Sequence, residues 1–188
     1  NGLYKLENDI FTKYTTADGL SNNNLYSLVV DKQNNLWIGS RVGINFYDGK
    51  TFSKILIDDI FNSNDIWFLT IDQKEFLWIG TNSGVFVLDT KEYIKTKKIR
   101  LKHYTIFDGL PGMECNQNAA FTDHTGNIWM GTSEGVIKYD PNKENFRANN
   151  FEPITHISNV RLFLKDTNWT KLTKEIDNSL DRAVEIVR

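Results

Sequence analysis

The sequence predicts an all-β protein, and three observations predict it. A long motif occurs three times, 13% of the 188 residues are aromatic, and no stretch shows the 3.6-residue apolar period of a helix. The motif reads LWIGSRVGINFYD from Leu36 to Asp48, LWIGTNSGVFVLD from Leu77 to Asp89 and IWMGTSEGVIKYD from Ile128 to Asp140. Each copy follows an apolar run that closes on an aspartate: LYSLVVD at Asp31, IWFLTID at Asp72 and NAAFTD at Asp123. The motif tryptophans Trp37, Trp78 and Trp129 lie 41 and 51 residues apart, the longer interval holding a charged insert around Lys91 to Lys102. Four short strands with their turns occupy roughly 40 to 45 residues in a β-propeller blade. Residues 1–150 are therefore expected to form about three four-stranded blades of a larger propeller.

Within a blade, alternation and turn chemistry place the strands. The inner strand runs from Leu25 to Val30, and a hairpin over Asp31 to Asn35 leads into a second strand, Leu36 to Ser40. A third strand covers Ile44 to Tyr47, and an outer strand covers Thr51 to Leu56; ahead of this blade, Phe11 to Tyr14 reads as a partial outer strand. Gly43, Gly84 and Gly135 hold one turn position in all three copies, where either φ > 0 or a close approach of chains calls for the backbone freedom of glycine. Gly39, Gly80 and Gly131 fall inside the second strand, which signals a bulge or close packing.

Composition narrows the chemistry. Lys plus Arg number 22 against 24 Asp plus Glu, so the chain lacks the basic footprint of a nucleic-acid binder or a polybasic membrane segment. The single Cys115 has no partner for a disulfide, and it forms no metal-ligand pattern with the scattered His103, His124 and His156, so no metal or other cofactor is expected. No run approaches the roughly 18 apolar residues of a membrane span.

Trp37, Trp78 and Trp129 have the chemistry to stack on sugars, yet their recurrence in mid-strand, alternating with Ile38, Ile79 and Met130, favours filling between adjacent blades. Asp31, Asp72 and Asp123 each open a hairpin, where an aspartate caps its own turn rather than serving as a general acid. Catalytic residues are therefore not expected. Candidate ligand-binding residues come from the loops that join the outer strand to the next inner strand and the second strand to the third. These supply Asn23, Asn64 and Asn116 from the first set, and Arg41, Asn82 and Glu134 from the second. Side-chain amides offer donor and acceptor together, which suits sugar hydroxyls, and Arg41 suits a carboxylate or sulfate. Asn is also simply a good turn residue, so each position has a plain structural alternative. Trp67, which stands where the preceding blade has Tyr26, and Trp169, between Asn168 and Thr170, add aromatic surface for stacking on a sugar ring.

The whole unit is apolar strand, Asp, turn, LWIGT, Gly and Tyr-Asp, followed by a loop such as Asp18-Gly19-Leu20-Ser21 or Asp108-Gly109-Leu110-Pro111. It resembles the two-component regulator propeller repeat. The middle blade departs from it where the loop reads Asp59-Ile60-Phe61. After Pro141 the repeat stops, and Ile154 to Leu162 opens a new strand-rich segment. Residues 151–188 are similar to the start of the immunoglobulin-like triple-tyrosine domain that follows such propellers.

The resemblance implies a seven-bladed propeller completed by further blades of the same protein. It also implies a periplasmic sensor of a hybrid histidine kinase, a homodimer in the intact receptor, and an oligosaccharide ligand released from complex glycans. Two other readings compete with it, a carbohydrate-cleaving propeller enzyme and a protein-interaction scaffold without a small ligand. The all-β reading is tested by far-ultraviolet circular dichroism. The expected spectrum contains little helix, and a helical fraction above about a fifth, approaching the third typical of globular proteins, would contradict it.

Overall fold

The computed structural model describes residues 1–55 and 65–141, together with two short strands, Val160–Leu162 and Lys165–Thr167. Two compact units divide the chain, Asn1–Glu144 and Asn145–Arg188. The first opens with an antiparallel hairpin of β1 (Leu3–Glu7) and β2 (Ile10–Tyr14). A four-stranded meander follows, β3 (Leu25–Val30), β4 (Leu36–Ser40), β5 (Ile44–Tyr47) and β6 (Phe52–Ile55), paired in that order. The second blade repeats it as β7 (Phe68–Ile71), β8 (Phe76–Thr81), β9 (Gly84–Asp89) and β10 (Leu101–Tyr104). The third has β11 (Cys115–Thr122), β12 (Ile128–Thr132) and β13 (Gly135–Tyr139). In the second unit the described strands β14 (Val160–Leu162) and β15 (Lys165–Thr167) form one hairpin.

These antiparallel sheets are propeller blades, as the repeat predicts, and the strands of the first blade start and stop within a residue of the expected positions. The expected strand from Phe11 to Tyr14 lies within β2, and Asn8 and Asp9, at left-handed φ of 50° and 63°, close the tight turn that pairs it with β1. One expectation needs correction. The charged insert near Lys91 is partly ordered into α1 (Thr90–Thr96), capped by the Asp89 carboxylate accepting from Glu92 N. Two helical turns are too short to show a period. The helix places Tyr93, only 4% exposed, with its ring 5.6 Å from Trp37 and 5.7 Å from Phe46.

Each blade is fastened by its aspartate. In the first, one carboxylate oxygen of Asp31 accepts from Gln33 N at 3.0 Å and Asn35 N at 2.8 Å, closing the hairpin. The other accepts from the Trp37 indole Nε1 at 3.0 Å and from Asn35 Nδ2 at 2.9 Å. Asp72 does the same for Lys74 N, Phe76 N and Trp78 Nε1, the last at 3.2 Å. Asp123 serves Thr125 N, Asn127 N and Trp129 Nε1, the last at 2.9 Å. Hydrogen bonds from the Thr125 hydroxyl, the Trp129 indole and Asn127 hold the Asp123 carboxyl well below the usual carboxylate range.

Period-two alternation then decides what each blade presents to the next. Trp37, Ile44, Phe46 and Ile55 of the first blade pack on Leu69, Leu77, Ile79, Phe86 and Leu88 of the second. The opposite face of the second, with Phe68, Trp78, Val85 and Val87, packs on Cys115, Ile128 and Met130 of the third. Trp37 and Trp78 therefore fill space between blades, and burial of each such side chain contributes about 1.5–3 kcal/mol. Trp129 has no such cover among the described residues and is 38% exposed. Gly39 and Gly80 are close-packing positions: a Cβ at Gly39 would strike Ser27 and Ile66, and at Gly80 the ring of Phe68.

Asp31→Ala removes the carboxylate from a site only 5% exposed and strands two turn N–H groups and an indole N–H. The expected cost is about 2–4 kcal/mol in urea-induced unfolding, and a loss under about 0.5 kcal/mol would contradict the fastening role. For Asp123→Asn the effect follows pH. Because the folded-state pKa is depressed, the stabilisation is present above the ordinary carboxylate range and is lost as pH falls through that range toward the folded value. Wild type and variant should converge in acid-induced unfolding.

Candidate functional site

The loops that carry the candidate residues meet at one end of the blades. Arg41 N donates to Asn24 O at 3.3 Å, Ile66 N to Ser40 O at 3.1 Å, Gly84 N to Met113 O at 2.7 Å and Ser133 N to Glu114 O at 2.9 Å. These bonds tie every second-to-third turn to an outer-to-inner loop. The aspartate turns lie at the other end of the same strands.

Local chemistry shapes these loops. Thr15 and Asp18 form a reciprocal capping box around a 3₁₀ turn, Thr15 N donating to Asp18 Oδ2 at 2.7 Å, and Thr105 and Asp108 repeat it at 2.9 Å. The Thr105 bonds hold the Asp108 carboxyl below its ordinary range. Gly19 and Gly109 end these turns at φ of 114° and 97°, a conformation only glycine takes without strain. In the first blade the fully buried Asn45 secures the loop from below, accepting from Ser21 N at 2.7 Å and donating to Gly19 O at 3.2 Å.

The candidate residues separate on this frame. Asn23 is committed to its own loop, its Oδ1 accepting from Thr16 N at 2.9 Å. Asn116 donates from Nδ2 to Thr132 O at 3.0 Å across its own blade. Arg41 and Glu134 are exposed at the turn tips, and a Cβ at Gly112 would touch the Glu134 side chain at 2.6 Å. Asn64 and Trp169 lie outside the described residues, as does the Asp59-Ile60-Phe61 loop. Trp67 and Asn82 come together, the indole Nε1 donating to Asn82 Oδ1.

Trp67 also meets two residues from other blades. Its ring stacks on Tyr26, with centroids 5.0 Å apart and planes 21° apart, and its carbonyl accepts from Asn118 N at 2.9 Å. Tyr26, Trp67 and Asn118 occupy one rank of the inner strand in three successive blades, counted back from Asp31, Asp72 and Asp123. The inner strands β3, β7 and β11 adjoin one another, so this rank converges toward a common axis. Tyr26, Trp67 and Asn82 are half-buried, and Asn118 is exposed at a left-handed φ of 54° within an irregular stretch of β11. The result is a two-ring aromatic surface with its indole N–H engaged and an exposed amide beside it. Alignment of the repeats by the aspartates puts Tyr26, Trp67 and Asn118 at one rank, whereas the irregularity of β11 around Asn118 leaves no mark in the sequence.

Among the described residues no cluster of three or more His, Cys, Asp or Glu side chains could hold a metal ion. Cys115 is buried, donates weakly to Gly84 O at 3.7 Å, and has its thiol pushed up to about 11 by burial, offset in part by a hydrogen bond with the Thr81 backbone.

Comparison with known proteins agrees with the fold and the motif. Residues 19–41 match the family described as two component regulator propeller, and the chain carries that repeat. A curated relative, histidine kinase P4 of Formosa agariphila, is 42% identical over 45 residues, which is 24% of this chain and 3% of the relative. Among solved structures, PorZ, described as a surface component of the type-IX secretion system of Porphyromonas gingivalis, shares the fold over 76% of this chain and 21% of its own. The TM-score is 0.51 and the identity 17%. The extracellular domain described as belonging to a hybrid two component system of B. thetaiotaomicron aligns over 69% of this chain and 23% of its own, with a TM-score of 0.43 and 20% identity. The chain thus spans a small fraction of the length of these proteins.

At pH 8 the raised pKa of Cys115 leaves little thiolate, so maleimide should modify the folded chain about a hundredfold more slowly than the unfolded one. Equal rates would show that the thiol is not enclosed between the second and third blades.

Proposed function

We propose that this chain is part of the extracytoplasmic ligand-sensing region of a hybrid two-component regulator, and that ligand is recognised where Tyr26, Trp67, Asn82 and Asn118 converge. The observation that carries the reading is the Tyr26–Trp67 stack, with Asn82 engaging the indole. A structural tryptophan of the Trp37 kind is enclosed between blades, whereas Trp67 is half-buried at the inner rim and leaves part of its surface accessible. The two component regulator match at residues 19–41 supports a signalling role, and the histidine kinase match supports the same output.

A neutral oligosaccharide fits this surface: an aromatic face takes the apolar face of a sugar ring, and exposed amides take its hydroxyls. Exposed Arg41 at a neighbouring turn extends the fit to an acidic sugar. The proposed place is the periplasm, the proposed partners are the other blades of the same protein and a second receptor copy, and the proposed action is binding without bond cleavage.

A thermal-shift screen against defined oligosaccharides tests the proposal. One glycan class should raise the melting temperature in proportion to the logarithm of its concentration and be recovered intact. Trp67→Ala should abolish that shift while its circular dichroism spectrum stays native. Cleavage of the glycan would instead establish an enzyme, and a shift that survives Trp67→Ala would place the ligand elsewhere.

A further inference from the structure

The near balance of 22 basic and 24 acidic residues conceals an uneven distribution. Between Lys91 and Lys102, in the connection from β9 to β10, the chain carries six cationic side chains and one anionic, Glu92. This connection lies at the end of the blades that holds the aspartate turns, because β9 starts at Gly84 on the candidate-site rim and runs away from it. Exposed Lys32 and Lys74 join it from the aspartate turns of the first two blades, and exposed Lys50 joins it from the turn between β5 and β6.

The acidic residues at this end of the same two blades are withdrawn from solvent or already engaged. Asp31, Asp72 and Glu75 are buried. Asp89 caps α1, Asp48 accepts from Lys50 N and Thr51 N, and Glu92 pairs with Arg100 at 3.2 Å. Glu7 and Asp9 belong to the hairpin ahead of these blades, where Glu7 pairs with Lys5 at 2.8 Å. Among the described residues no carboxylate pairs with Lys50, Lys74, Lys91, Lys95 or Lys98. The loops of the opposite rim expose Asp18, Asp108, Glu114 and Glu134 against Arg41. The blades are therefore electrically polar along their strands, with exposed cations at one end and exposed carboxylates at the other.

Placement decides among anionic partners. Lys98, Arg100 and Lys102 border β10, the outer edge of the second blade, where cations also discourage edge-to-edge pairing. Lys32, Lys50, Lys74, Lys91 and Lys95 lie off that edge and have no such role. They come from four separate connections of two blades, so they form an area rather than a track, which matches a planar anionic surface better than one extended polyanion. Among them Ile99, 38% exposed, stands between Lys98 and Arg100. An apolar side chain set among cations suits the boundary between headgroups and acyl chains. We propose that this end of the first two blades rests on an anionic phospholipid surface and turns the rim of Tyr26 and Trp67 away from it.

Vesicle binding tests this without any glycan, so its failure leaves the sensing proposal standing. The chain should co-sediment with vesicles of phosphatidylcholine and phosphatidylglycerol in equal parts, and stay in solution with phosphatidylcholine alone. Raising the ionic strength to about 1 M, where the screening length is about 3 Å, should release it. Each lysine at the surface strengthens partitioning about fivefold, so Lys91→Gln, Lys95→Gln and Lys98→Gln together should weaken it by about a hundredfold. The same loss of charge at Lys5, Lys13 and Lys54, on β1, β2 and β6, should leave most of the binding. An environment-sensitive dye on Ile99→Cys should shift to the blue on the vesicle, whereas the dye on Glu134→Cys should not. Equal binding to both kinds of vesicle, or none to the anionic kind, would overturn the proposal. So would an equal loss in the two triple variants, which would reduce the effect to bulk charge, or retention on sulfated dextran without vesicle binding, which would assign this end to a soluble polyanion. A blue shift at position 134 alone would overturn the orientation.

Discussion

The structure depends on a carboxylate that binds in two directions at once. In each blade one oxygen of Asp31, Asp72 or Asp123 closes the hairpin through two backbone N–H groups, while the other takes the indole N–H of the tryptophan six residues on. The first contact fixes the register of the inner and second strands, because the turn length sets which residues face each other. The second holds the largest side chain of the blade on the face that meets its neighbour. A local turn preference thus becomes a rule for stacking sheets, since the ring that the carboxylate positions is the ring the next blade packs on. The bond to a charged acceptor also satisfies an indole N–H that would otherwise be buried without a partner at Trp37 and Trp78.

With stacking settled at mid-sheet, the ends of the strands are free to vary. Position 45 is a buried Asn that secures a loop in the first blade, while the matching residues are Phe86 in the second and Ile137 in the third. The inner-strand rank of Tyr26 changes to Trp67 and then to Asn118, three different chemistries brought to one rim by a repeated backbone. The repeated tryptophans build the scaffold, and the residues at these two positions change from blade to blade without disturbing it. The turn opposite that rim also varies: Asn34, Glu75 and Gly126 all take left-handed φ, and the buried Glu75 carboxylate lies 3.4 Å from Lys32 of the preceding blade.

The fold was legible because its signal repeats. The spacing of Trp37 and Trp78, the terminal aspartates and the glycines at turn positions place β3 to β6 almost to the residue, and alternation alone assigns Trp37 to the space between blades. What stayed hidden depends on contacts distant in sequence. The indole bond to Asp31 links two residues that each have a sufficient local explanation, so nothing in the sequence asks for it. The helix at Thr90–Thr96 is too short for a period and is organised by its Asp89 cap and by Tyr93 packing on the first blade. At the site, Trp67 and Asn82 were legible as polar and aromatic loop residues. Asn23 and Asn116 look the same in sequence, yet their amides are spent on neighbouring backbone, which only the geometry separates.

The two-directional carboxylate is tested most directly by a double-mutant cycle on Asp31 and Trp37, using Asp31→Ala and Trp37→Phe, with unfolding free energies from urea titration. Trp37→Phe keeps most of the ring volume and removes the N–H, so the cycle isolates the bond itself. A coupling of about 1–3 kcal/mol is expected, in the range of hydrogen bonds to charged groups. Strictly additive effects, with coupling below about 0.3 kcal/mol, would show that the turn and the blade face are held independently and would contradict the account.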